Sequence, residues 1–245
     1  MQRALLLANV FLKALATPPA EILARFKTAE ERATLAAGCQ QLIGQQIEKM
    51  RAAGLLDLLE NREREFMLTG IFETTAQHRI DASWLAESIM CLHWALGLRE
   101  QIPPYDQEVD PKSNQLPKGE KARDLVSSAT LRPQAEINRQ RDLAELCHWR
   151  CRTHMLLTSK KIPDALPDGT PMPEIIRRAA EKAAEDGAFP KPIDNDFPVY
   201  GKAYREVTEE EQSMLTSIAM ERHKALNWLC GYAPGNRWSE TPTDT

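Results

Sequence analysis

Three groups of side chains in this sequence have types and spacings that chemistry uses. Near the end Glu221, Arg222 and His223 stand together, with Asn227 one helical turn beyond His223. In the middle, Glu87 interrupts a stripe of Trp84, Cys91, Trp94 and Leu98. Between them Cys147, Cys151 and His154 follow i, i+4, i+7 spacing, which would put three zinc-type ligands on one helix face. A structural zinc site normally takes two ligands from a tight knuckle, and none is present. The thiols therefore read as small core residues with a histidine at the rim, and neither metal nor cofactor is expected.

The carboxylates break the binary pattern. Glu221 falls on a stripe with Met214, Ile218, Ala225 and Trp228, and Arg222 on the neighbouring one with Leu215, Ile218, Leu226 and Leu229. A carboxylate buried alone is costly, so Glu87 and Glu221 must be paired, protonated or solvated by a pocket. Arg222, Arg150 and Arg152 are the candidate cations. The expected network joins Glu87 to Arg222 and turns Glu221 towards a second arginine. It either fixes helix register or lines a polar pocket. His223 and Asn227, beside Lys224, form a polar pair that either bonds a neighbouring loop or orients a ligand. Phosphate loops, dinucleotide fingerprints, nucleophile elbows and the paired histidines of a metalloprotease helix are all missing from the sequence.

These residues need helices to position them. A first helix over 1–16 ends before Pro18-Pro19. Thr28 with Glu31 is a capping box that starts a helix stopping near Gly38, and further helices are expected over 40–53 and 55–68, with a break at Asn61. Asp81 is the expected N-cap of a helix over 82–98, apolar around most of its circumference and so central. A four-proline loop over 102–119 follows, a surface loop or a ligand-covering connection. Helices over 120–129 and from Pro133 to about 157 come next, then a short one from Pro173 closed by Gly187. Residues 188–207 are irregular, with aromatics expected to fold back onto the body. Thr208 and Glu211 cap the last helix, which runs to Cys230 with Gly231 behind it.

Composition sets the outer bounds. The 245 residues carry a net charge of -4 with the basic residues dispersed, so no nucleic-acid surface is expected. Hydrophobic residues make up 42% and charged ones 27%, and the abundance of Ala, Leu, Glu, Arg and Gln favours an all-α fold over sheet. Five cysteines, an odd number inside helical patterns, read as reduced thiols of a cytoplasmic protein. The apolar start imitates a secretory signal, but Asn9 and Lys13 interrupt it, and neither export nor a membrane span is expected.

With those motifs in view, the chain from about residue 80 resembles a family of uncharacterised, mostly bacterial proteins known as a domain of unknown function. The residues carrying the resemblance are Ser83-Trp84 with Glu87, Trp94-Ala95-Leu96-Gly97, Leu131-Arg132-Pro133 with Glu136, Asp142, and His148-Trp149. The closing run is Glu221-Arg222-His223-x-Ala225-Leu226-Asn227-Trp228-Leu229, then Trp238 and the terminal Asp244-Thr245. The resemblance implies a mostly helical domain over 79–245 and transfers no catalytic residue, while the helix punctuation before it marks residues 1–78 as an N-terminal short-helix region packed on that body. It also suggests a docked end, in which Trp238 packs on the body and brings Asp244 or the Thr245 carboxylate to Arg132 or Arg222. The absence of a nucleophile-base-orienter set points to a non-catalytic binding or adaptor protein, one that recognises a protein partner as immunity-type proteins do. The alternative is an enzyme using Glu87, Glu221, Arg222 and His223 as an acid-base pocket for a small polar or anionic substrate.

Overall fold

The computed structural model describes residues 2–71, 73–110 and 129–245. The chain folds mostly as helices: α1 Gln2–Ala16, α2 Ala20–Leu23, α3 Ala29–Ala52, α4 Asn61–Leu68, α5 Ala76–Ala95, α6 Gln134–Thr158, α7 Met172–Glu185 and α8 Glu209–Leu229. A two-stranded antiparallel ribbon, β1 Pro198–Val199 and β2 Lys202–Ala203, is the only sheet among the described residues. Its two-residue turn places Tyr200 and Gly201 at φ of 53° and 75°, the left-handed pair that matches strand twist in a tight hairpin.

The capping signals sit where the sequence puts them. Thr28 and Glu31 bond reciprocally at the start of α3, as do Thr208 and Glu211 at the start of α8. Two expected boundaries are wrong. α3 does not stop at Gly38 but continues to Ala52 through Gly44. A glycine inside a helix costs only about 1 kcal/mol, and Ala36, Ile43 and Met50 hold α3 down at seven-residue intervals. α5 is capped not by Asp81 but by Thr75, whose hydroxyl accepts from the His78 amide at 3.1 Å, so the helix starts two turns earlier. The expected helix over 120–129 and the loop over 111–119 lie outside the described residues, apart from Ala129.

The core forms where α8 lies between α5 and α6, with α1 on the other side of α5. Ile89, Met90, Cys91, Trp94, Ile137, Ala144, Leu215, Ile218, Ala225 and Leu226 meet there. α1 is apolar on two sides. Ala4, Leu7 and Phe11 face this core, whereas Leu6, Val10 and Ala14 face Met50, Leu56, Leu59 and Met67. The N-terminal helices thus join the rest through α1, together with Ala82 and Leu85 of α5, which share the second cluster.

Residues 2–23, which run over α1 and α2, are long and apolar enough to cross a membrane by length and composition alone, a test that buried core helices and signal sequences also pass. In the fold, its charged interruptions are used inward. Arg3 pairs with Glu63, and the buried Lys13 ammonium bonds the carbonyls of Phe66 and Thr69 at the end of α4. A cation there meets the negative end of the helix dipole and its unsatisfied carbonyls. Burial nevertheless lowers the Lys13 pKa from 10.5 to about 8.

Candidate functional site

Glu87 on α5 and Arg222 on α8 meet at 2.7 Å, exposed to 1% and 0%. The other Glu87 oxygen accepts the Val109 amide at 2.7 Å. Arg222 extends its remaining donors to the carbonyls of Pro103 (2.7 Å), Pro104 (3.1 Å) and Gln107 (2.8 Å), and lies 4.8 Å from the centre of the Tyr105 ring. The planar fork of a guanidinium suits this task, since one group serves four acceptors at fixed angles. The described part of the proline-rich loop, over 102–110, is therefore fastened to the core.

The other expected cations go elsewhere. Arg150 does not reach Glu87. It grips Asp196 with two bonds, at 2.8 and 2.6 Å, over the Tyr204 ring. Asp196 also accepts the amides of Phe197 and Arg205, which ties the β1–β2 region to α6. Arg152 is exposed, and among the described residues no ion pair joins it to Glu87 or Glu221. Arg132 stacks on Trp94 and donates to the carbonyls of Trp94 (2.8 Å) and Arg99 (2.9 Å), closing the end of α5. Sequence periodicity could not find Asp196, because it stands in a segment with no repeat.

Among the described residues no arginine pairs with Glu221. Its Oε2 accepts the Ser88 hydroxyl at 2.6 Å, and its side chain lines a cleft of about 440 Å³ between α1, α4, α5, α8 and Trp238. Burial pushes its pKa up, against the opposing pull of Lys224 and the Ser88 bond. Glu65, Phe66, His78, Asp81 and Leu85 form the walls.

His223 faces the opposite side. Arg141 donates to Asn227 Oδ1 at 2.9 Å, which orients the amide so that Nδ2 donates to Pro242 O at 2.8 Å and to His223 Nε2 at 2.9 Å. His223 Nε2 is therefore the bare nitrogen, and its Nδ1–H donates to His148 Nδ1 at 3.2 Å. Burial, with His148 and Arg141 nearby, lowers the His223 pKa to about 4. Burial also holds His148 down, Arg152 adds to that, and the charge of Asp244 opposes it. A neutral imidazole pair is the result.

The C-terminal segment docks, but not on the expected groups. Trp238 is buried between Arg3 and Lys224 and edge-on to Trp228, and its amide and that of Ser239 donate to Glu60 at 2.5 and 2.8 Å. Among the described residues no ion pair joins Asp244 or Thr245 to Arg132 or Arg222. Asp244 is exposed on the His148 side, and the Thr245 hydroxyl is buried with no hydrogen-bond partner among the described residues. Cys147 and Cys151 are free core thiols, while His154 stacks edge-on against Tyr204. No cluster of three or more potential metal ligands occurs among the described residues.

A family model for a domain of unknown function, DUF4272, matches residues 9–174. The chain belongs to that family. The DUF4272 match takes in Glu87, Arg132 and Arg150 and both histidine-bearing turns of α6, and it ends inside α7, before α8 and the terminal segment. No curated protein and no solved structure matches the chain.

Proposed function

We propose that this DUF4272 protein is a non-catalytic binding protein, a cytoplasmic bacterial adaptor of the immunity type that recognises a protein partner. The observation that carries the reading is the sealing of Glu87, Arg222 and His223. Acid-base chemistry needs its groups within reach of substrate, and these three are buried and spend their bonds on one another's helices and on the chain's own loops. An anionic substrate would have to displace four partners from Arg222. The free thiols support a reducing compartment, and the run Glu221 to Leu229 with its terminal Asp-Thr supports a family signature that continues past residue 174.

Affinity purification from the source organism, followed by mass spectrometry and run with wild-type and Glu87→Gln bait, tests this. The variant is expected to lose stability, while its folded fraction still captures the same partner or small molecule. A Glu87→Gln protein that keeps its stability and captures nothing would return Glu87 to the binding machinery and overturn the reading.

A further inference from the structure

The described residues bury three carboxylates, those of Glu87, Asp196 and Glu221. Two of them hold an arginine, at 2.7 and 2.6 Å respectively. The third does not. Glu221 is 9% exposed and forms no ion pair among the described residues. Its one side-chain partner there is the Ser88 hydroxyl on Oε2. Lys224, one turn away in the same cleft, lies over the Trp238 ring at 5.3 Å instead of reaching back. A carboxylate taken out of water with a single neutral donor is left with most of its desolvation cost uncompensated, unless it takes up a proton or a bound cation supplies the charge.

The cleft beside it has the shape and chemistry to do so. Its volume, about 440 Å³, lies within the range of small-molecule pockets. Phe66, Leu85 and Val10 offer apolar wall along its length, and Asp81 and Glu65 stand with Glu221 around it. Of the other carboxylates of the lining, Glu63 is held by Arg3, Glu60 by the Trp238 and Ser239 amides, and Asp81 takes the Gln77 side-chain amide at 2.6 Å, while Arg62 and Lys224 are the cations of the same lining, outnumbered by its five carboxylates. Apolar walls with carboxylates beyond them suit a cation on an alkyl stem, because the stem buries against the wall while the charged end meets the acid.

The geometry points to this cleft as a binding site for an alkylammonium or alkylguanidinium group, received by Glu221 and steered by Asp81. The inference rests on the binding reading above and gives that reading a chemical class. The group is carried either by a free small molecule or by a Lys or Arg side chain of a partner, and the recognising chemistry is the same.

The test uses the full chain, with titration calorimetry and ligand-observed NMR. The probes are agmatine, the blocked peptide acetyl-Gly-Arg-Gly-amide, and glutarate as an anionic control. Agmatine binds, glutarate does not, and Glu221→Gln weakens agmatine by about ten- to a hundredfold, as expected on losing a charged contact. Asp81→Asn, on an exposed position in the second turn of α5, weakens it less and guards against a folding defect in Glu221→Gln. Binding of agmatine alone assigns a free small molecule, and binding of the peptide as well assigns a partner's side chain. Failure of both cations to bind, or equal affinity in wild type and Glu221→Gln, overturns the cleft assignment while leaving any captured partner, and the binding reading, in place. New agmatine-derived resonances appearing over hours would instead sink the non-catalytic reading and leave the site standing.

Discussion

Glu87→Gln is the sharpest perturbation that the core allows. Glutamine keeps the length and one oxygen, so the Val109 amide retains its acceptor. The other position changes sign: an amide NH2 now confronts Arg222 Nε, a donor against a donor, and the guanidinium loses its only anionic partner among the described residues. Breaking a buried pair by removing one member costs about 3–5 kcal/mol. Three carbonyls still solvate Arg222, which places the estimate at the lower end, about 3 kcal/mol. For a chain of this size each kcal/mol moves Tm by about 2–4 °C, so a fall of roughly 6–12 °C is expected by calorimetry. Arg222→Met should cost more than Glu87→Gln, since it also releases the carbonyls of Pro103, Pro104 and Gln107. The double variant Glu87→Gln/Arg222→Met should be less destabilised than the sum of the two, because no uncompensated charge remains. Amide exchange at Tyr105 and Gln107 should accelerate in Arg222→Met. A Glu87→Gln protein whose Tm falls by less than 2 °C would refute the claim that this pair is sealed and structural.

Three further predictions concern other buried groups. The His223 imidazole drops from its usual 6.5 to about 4, so the fold selects the neutral form and the unfolded chain binds the extra proton between those values. Its contribution, roughly 3 kcal/mol, is complete above pH 6.5 and drains away as pH falls towards 4. Urea midpoints from pH 4 to 7 should decline towards acid more steeply in wild type than in His223→Gln, and superimposable profiles would count against the pair. Asp196→Asn removes the charge from a carboxylate serving Arg150 and two backbone amides, and should cost about 3–5 kcal/mol in urea unfolding. Tyr105→Phe removes a buried hydroxyl that has no hydrogen-bond partner among the described residues, so its stability should stay level or rise by up to about 1 kcal/mol, and a clear loss would mean the hydroxyl has a partner.

The helical framework was legible where side chains and backbone signal the same thing. Thr28 with Glu31, Thr208 with Glu211, and Gly187 and Gly231 at φ of 68° and 80° are local devices that act without the rest of the chain. Gly38 misled because a glycine weakens a helix without ending it, and what overrides it is the remote packing of Ala36 and Ile43. Asp81 misled because it is as good a cap as Thr75, and the choice rests on where α5 meets α1. The pairing of Glu87 with Arg222 could be read from stripe positions on two helices. Arg150 with Asp196 could not, because one partner lies in a segment with no period. Nor could Ser88 under Glu221, since serine is at home in most environments.

The run Glu221-Arg222-His223 reads as one site in sequence and is three in space. Successive helical residues turn by about 100°, so three in a row cover most of the circumference. On a surface helix two of them would meet water. α8 has α5 on one side, α6 on another and the clamped loop on a third, so the three residues part company: Glu221 meets Ser88 of α5 beside the cleft, Arg222 meets Glu87 of α5 and the loop, and His223 meets His148 of α6. One short stretch therefore fixes the positions of the elements around α8 through three polar contacts whose geometry admits little slip. This separates the roles of the three residues. A change at Arg222 or His223 should act on the cleft only through stability, whereas a change at Glu221 acts on it directly. The ratio of lost binding to lost stability is thus expected to be large for Glu221→Gln and near zero for the other two.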